Sequence, residues 1–264
     1  MKTDQKTNKS KEHQTSIDLN CDMGESYGRY QIGNDDLVFP HITSTNVACG
    51  FHGGDPWHIE QTIQKALQHQ VQIGAHPGYP DLQGFGRRKM QVPVKELKSI
   101  VKYQVAAIKG LVESHGVVLK YVKPHGALYN SMAKDAEEAS CVIEAILSID
   151  PNLKIMGLAG SLVREIVEQK GGQFIAEAFA DRRYNLDGTL QARTTQGAVL
   201  ENPKDIAQQV LSIVQHQQAI TIDGKAVSIQ AQSICIHGDN PAVIPILSAI
   251  SEALANAGIN KTSF

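Results

Sequence analysis

An excess of either charge is missing from this sequence: 25 lysine and arginine residues stand against 27 aspartates and glutamates, a formal net charge of −2 over 264 residues. Without a basic surplus, no general field draws the chain to nucleic acid or to an anionic membrane, and neither partner is expected. Long hydrophobic runs are also missing. None approaches the roughly 20 apolar residues of a membrane-spanning helix. The four cysteines, Cys21, Cys49, Cys141 and Cys235, form no C-x-x-C pair. They read as reduced thiols rather than a disulfide framework, which makes the cytoplasm the expected compartment. Three chemical signatures are absent as well: a phosphate-binding G-x-x-x-x-G-K-[ST] loop, a dinucleotide-binding G-x-G-x-x-G after a strand, and a G-x-S-x-G nucleophile elbow.

What is present is a soluble, core-forming composition, with 42% hydrophobic and 20% charged residues. The first 15 residues, MKTDQKTNKSKEHQT, are polar and lysine-rich, and are expected to be a disordered tail. Strand-like runs begin near Ile17, Ile42, Val71, Val118, Ile155, Phe174 and Ser233. Between them lie amphipathic stretches at 58–69, 94–115, 136–149, 162–170, 203–217 and 241–257. In the second of these, Leu97, Ile100, Val101, Val105, Ile108 and Leu111 recur at helical spacing. Repeated alternation of strand and helix predicts an α/β fold with a mainly parallel sheet. Seven such units suit a (β/α) barrel or a doubly wound sheet. The segment 219–231, AITIDGKAVSIQA, reads instead as a hairpin turning at Asp223-Gly224. With no Pro/Gly/Ser-rich linker, residues 16–264 are expected to form one domain.

Polar residues follow each apolar run. Asp18, Asn20 and Asp22 close the first, and Asn46 leads into Cys49-Gly50-Phe51-His52 in the second. His76 ends the third, Lys123 and His125 the fourth, and Glu177 and Asp181 the sixth; His237 and Asp239 end the last. Parallel strands put all these ends on one face, where barrels and open α/β sheets both bind ligands. The two-residue spacing of Asp18, Asn20 and Asp22 also points them to one side of an extended strand, as it does Lys123 with His125 and Cys235 with His237. Each residue alone has a structural explanation, since a histidine can be a bonded core residue and an aspartate can cap a turn. Six strands contributing polar groups to one place argue for a shared site. Asp22, His52, His76 and His237 are candidate ligands for a divalent metal, although their spacing matches no compact zinc signature. The glycine-rich loop 79–88 reads as a lid, and its Arg87 and Arg88 as a grip on a carboxylate or phosphate.

Six motifs in order, DLNCDMGE (18–25), NVACGFHGGDP (46–56), IGAHPGYPDLQGFGRR (73–88), VKPHGALYN (122–130), EAFADR (177–182) and ICIHGDNP (234–241), resemble the LamB/YcsF family. The resemblance runs from about Ile17 to the C-terminal helix. It implies a TIM-like barrel, seven-stranded and irregular, similar to those of glycoside hydrolases and polysaccharide deacetylases. It also implies a 5-oxoprolinase reaction, in which 5-oxoproline, ATP and water become L-glutamate, ADP and phosphate in concert with partner subunits B and C. With no phosphate-binding loop in this chain, ATP is expected on a partner. Within that reaction, Asp22 or Glu177 would serve as base, His52 or His237 would move protons, and Lys123 would face the developing oxyanion or phosphate. Arg182 or Arg193 would hold the substrate carboxylate. Asp18, Asn20, Asn46, His76, His125, Asp181 and Asp239 complete the expected substrate-binding set. Two rival functions stay open on the residues: a stand-alone metal-dependent deacetylase or amidohydrolase, and a non-catalytic lactam-binding subunit.

Overall fold

The computed structural model describes residues 15–238, 240 and 242–264. Of the expected N-terminal tail, residues 1–14 therefore lie outside the described residues, as does the candidate site residue Asp239.

Seven parallel strands close into a barrel. They are β1 (Ser16–Met23), β2 (Ser44–Ala48), β3 (Gln72–His76), β4 (Tyr121–Val122), β5 (Lys154–Leu158), β6 (Gln173–Phe179) and β9 (Ser233–Ile236). Each pairs with the next, and β9 returns to β1 through the register Asp18↔Ser233 to Cys21↔Ile236. The expected barrel is the observed one, and the doubly wound alternative is not. Parallel neighbours need crossovers, and helices supply most of them: α2 (Pro56–Gln68), α3 (Val94–Ser114), α5 (Ala136–Leu147), α6 (Val163–Gln169) and α7 (Pro203–His216), with α8 (Val243–Asn256) after β9. The hairpin foreseen around Asp223-Gly224 is β7 (Gln218–Ile220) against β8 (Ala226–Ser228), antiparallel.

Three small elements carry no periodicity long enough to read in advance. These are α1 (Asp35–Val38) with the 3₁₀ turn Phe39–His41, α4 (Gly126–Met132), and β10 (Asn260–Lys261), which pairs with the start of β1.

Local chemistry explains how the helices are anchored. α2 begins at Asp55, whose carboxylate accepts the Trp57 and His58 backbone N–H groups, and Pro56 occupies the first helical position, where no N–H is needed. α3 buries Leu97, Val101, Gln104, Val105, Ile108 and Val112 along one stripe. Gln104 is the polar member. Its amide donates to the Gly78 carbonyl and accepts the Gly78 N–H, each at 2.9 Å, which ties the turn after β3 to the helix.

At the lower end of the barrel interior Tyr121, Met156 and Ile175 pack together against Phe264. Gly74 makes room for Tyr121: a Cβ there would lie 2.3 Å from the tyrosine ring. Above this plug the interior turns polar.

Candidate functional site

A chain of hydrogen bonds climbs the barrel from the Tyr121 hydroxyl, which donates to Asn46 Oδ1 at 2.7 Å. The Asn46 amide donates to Asn20 Oδ1 and Asp22 Oδ1, at 2.7 and 2.8 Å. Asn20 in turn donates to Glu177 and Ser233. Asp18 lies off this line and accepts hydroxyls from Thr43, Ser44 and Ser233. Burial raises the Asp18 carboxyl above its ordinary value even against these three donors. The two-residue parity of Asp18, Asn20 and Asp22 thus sends all three inward, and the cross-barrel bonds leave few of their polar groups unmet.

Lys123 sits at the centre, 2% exposed. Its ammonium is 2.8 Å from Glu177 Oε1, 3.0 Å from Asp22 Oδ1 and 3.1 Å from Asn20 Oδ1, and it donates to Cys235 Sγ. Burial opposes the charge, but Asp22 foremost and Glu177 hold the ammonium well above the ordinary lysine value. Conversely, burial would raise the Asp22 carboxyl, yet His76 and Lys123 keep it well below the carboxylate range. Burial pushes the Cys235 thiol well above its ordinary value, against the lowering effect of the Lys123 ammonium.

The second group is histidines. His52 and His125 stack with ring centroids 3.7 Å apart, and His76 meets both edge-on. Burial lowers His52 and His125 well below the ordinary imidazole value. Glu25 Oε1 stands 3.3 Å from His52 Nε2. These four residues are the group among the described residues whose donor atoms converge as metal ligands do. The grouping differs from the one read from sequence: Glu25 and His125 replace Asp22 and His237. His237 lies elsewhere because it is bound to Asp181.

That pair forms the third group. His237 Nδ1 lies 2.9 Å from both Asp181 oxygens, so its N–H donates to the carboxylate, and Nε2 accepts from Arg193 at 2.7 Å. Asp181 is held below its ordinary value: burial would raise it, but His237, Arg193 and Arg182 outweigh burial. Arg182, 5% exposed, gives one guanidinium N–H to the Gln191 carbonyl, and its buried Nε has no partner among the described residues. Burial and the neighbouring Arg193 lower it to about 10.

A cavity of about 320 Å³ opens over these groups at the C-terminal ends of the strands. Asp22, His76, Lys123 and His125 line one side; Arg182, Arg193 and His237 line the other, with Arg87 at the wall. Asp18, Asn20, Asn46, His52, Glu177 and Asp181 do not line it. They lie behind the lining residues and hold them in place. The segment 189–193, after β6, forms part of the wall and carries the expected substrate-binding residue Arg193. Within the loop 79–88 Arg88 is paired with Asp81, and Arg87 is the arginine that lines the cavity. Phe85 contributes its carbonyl, which accepts the His125 Nε2–H at 2.8 Å.

The LamB/YcsF profile matches residues 17–264. The chain belongs to the LamB/YcsF family. A relative from Acinetobacter baylyi, named as the A subunit of 5-oxoprolinase, is 48% identical over 248 residues, covering 94% of this chain and 98% of that one. The crystal structure of a lactam utilization protein from Thermus thermophilus superposes with a TM-score of 0.90 at 38% identity, over 94% of this chain and 100% of that one. The catalytic domain of a peptidoglycan N-acetylglucosamine deacetylase from Eubacterium rectale, 10% identical with a TM-score of 0.50 over 95% and 88% of the two chains, shares the fold alone. No helix among the described residues of this LamB/YcsF member is long and apolar enough to cross a membrane.

Proposed function

We propose that this chain is the A component of a multi-subunit 5-oxoprolinase. With partner subunits B and C it opens the lactam of 5-oxoproline to L-glutamate, coupled to conversion of ATP to ADP and phosphate. The observation that carries the reading is a single cavity uniting a buried ammonium, an aspartate-oriented imidazole and a buried guanidinium. The names borne by its relatives support it.

5-Oxoproline is a five-membered cyclic amide with a carboxylate. Arg182, which lines the cavity, pairs with the carboxylate, and Arg193 supplies a second cation from the exposed rim. Lys123 is the fixed positive charge for the lactam oxygen as negative charge develops there, in a site where little water screens it. His237 takes a proton from water through Nε2 once Arg193 has turned from that nitrogen to the substrate carboxylate, while Nδ1 keeps its hydrogen on Asp181. Hydroxide adds to the carbon bearing the phosphorylated oxygen, the C–N bond breaks as the same proton passes to the departing ring nitrogen, and a second water hydrolyses the resulting acyl phosphate to the carboxylate of glutamate and free phosphate. Asp22 is too acidic to be an effective base; it and Glu177 keep Lys123 charged and placed. Resonance makes the lactam resistant, and phosphorylation of its oxygen by ATP relieves this by creating a better electrophile. A cavity of about 320 Å³ and the lack of a phosphate-binding glycine loop support placing ATP on a partner.

The test is glutamate release from 5-oxoproline by the purified chain, with and without ATP and subunits B and C. Release that requires every component is expected. Release by this chain alone without ATP would replace the reading with a stand-alone hydrolase.

A further inference from the structure

Glu25, His52, His76 and His125 are unused by the lactam chemistry, and the inference drawn from them does not depend on it. One donor atom from each lies within 4.8 Å of all the others, and all four residues are buried. Backbone contacts settle two of the tautomers. His76 Nδ1 is 2.6 Å from the Lys123 carbonyl oxygen, and His125 Nε2 is 2.8 Å from that of Phe85. A carbonyl oxygen only accepts, so each of these nitrogens carries its hydrogen. The opposite nitrogens, His76 Nε2 and His125 Nδ1, then turn lone pairs toward each other across 2.9 Å. Such a contact needs an electrophile between the two: a shared proton or a metal cation.

The surroundings favour the metal. Glu25 Oε1 lies 3.6 Å from the same His125 nitrogen and 3.3 Å from His52 Nε2. A proton joins two donors, whereas four converge here. Ligand atoms about 2.0–2.1 Å from zinc stand about 3.0–3.4 Å from one another; the 2.9, 3.3 and 3.6 Å contacts lie near that range, while His52, parallel to His125 in the stack, has to turn out of it to reach the same ion. His76 and His125 also make the outer hydrogen bond by which metal-bound imidazoles are generally oriented. The loop around them leaves no space for side chains. A Cβ on Gly86 would lie 2.7 Å from the His125 ring and 2.8 Å from His52 Cβ, at a backbone φ of +62°.

We propose that Glu25, His52, His76 and His125 form a site for one divalent first-row transition ion of the zinc type. Three imidazoles and one carboxylate suit Zn²⁺ or Co²⁺, while calcium and magnesium need more oxygen ligands. Because His76 and His125 line the cavity, the ion would face it.

The full-length protein, stripped with a chelator, is titrated with Co²⁺ and followed by its visible absorption, then challenged with Zn²⁺. One Co²⁺ per chain, displaced by one Zn²⁺, is expected. His125→Gln and the isosteric Glu25→Gln should weaken binding, the former on the order of 100-fold. His52→Gln should weaken it less than His125→Gln, because His52 Nδ1 has no acceptor among the described residues. His115→Gln, at a surface histidine paired with Glu60, should leave it unchanged. Circular dichroism of the metal-free variants checks folding. Absence of Co²⁺ binding by the folded wild type, or binding unaffected by both His125→Gln and Glu25→Gln, overturns the proposal and leaves a shared proton in the His76–His125 contact.

Discussion

Replacing Lys123 by methionine should destabilise the protein by about 3–5 kcal/mol, the usual cost of leaving a buried charge without its partner. The structure sets the scale. At an effective dielectric of about 20, the 2.8 and 3.0 Å contacts to Glu177 and Asp22 are each worth about 6 kcal/mol of Coulomb attraction, most of it offset by desolvating three ions. Methionine keeps the length of the side chain and its packing but removes the cation, so two carboxylates remain in the barrel interior, Glu177 beside the Asn20 amide and Asp22 beside the Asn46 amide and His76. In urea, with a slope of about 3 kcal/mol per molar, the midpoint should fall by about 1–1.7 M. Lys123→Met with Glu177→Gln should recover about 2 kcal/mol of the loss, because the amide can still accept from Asn20 and no longer carries charge. A single variant as stable as the wild type, or a double variant that loses further stability, would refute the charge-pair reasoning.

Other predictions rest on separate parts of the fold. Gly74→Ala should cost about 1–3 kcal/mol through overpacking against Tyr121, and Gly74→Ala with Tyr121→Leu should cost less than the two changes summed, as read by urea unfolding. Asp55→Ala should cost about 1–2 kcal/mol by uncapping α2. Burial would raise the Asp55 carboxyl, but the Gly28 and His58 N–H groups and the His58 ring lower it to about 2. Its contribution is therefore complete above about pH 5 and lost as pH falls through about 2, so wild type and Asp55→Ala should converge in acid; a difference undiminished at about pH 2 would contradict this. Asp181→Asn should lower glutamate release by the assembly about 10²–10⁴-fold with the unfolding midpoint little changed, since the amide favours the wrong His237 tautomer.

The strand ends were legible because parity is a local property. Asp18, Asn20 and Asp22 declare a common side before any partner is known, and α3 declares its buried stripe by spacing alone. Depth along the barrel is not local. Asp18 lies behind the cavity because Thr43, Ser44 and Ser233 meet it there, and Ser233 is 215 residues away. Glu177 was read as a base that could reach water, yet it stands beneath Lys123 and does not line the cavity. Histidine partnerships were equally hidden: His237 follows β9 but is oriented by Asp181 after β6, while His125 joins His52 and His76 through the ring stack. No spacing rule encodes these pairings, because they arise from closure of the barrel and from the path of the 79–88 loop.

The central claim is that this chain performs the hydrolytic chemistry and does more than present the lactam to its partners. The direct measurement is glutamate release by the assembly of this chain with subunits B and C at saturating 5-oxoproline and ATP, comparing wild type with His237→Gln. A fall of about 10²–10⁴-fold, with the variant folded and assembled, is the predicted result. Equal rates would contradict the account and place the chemistry on one of the partners.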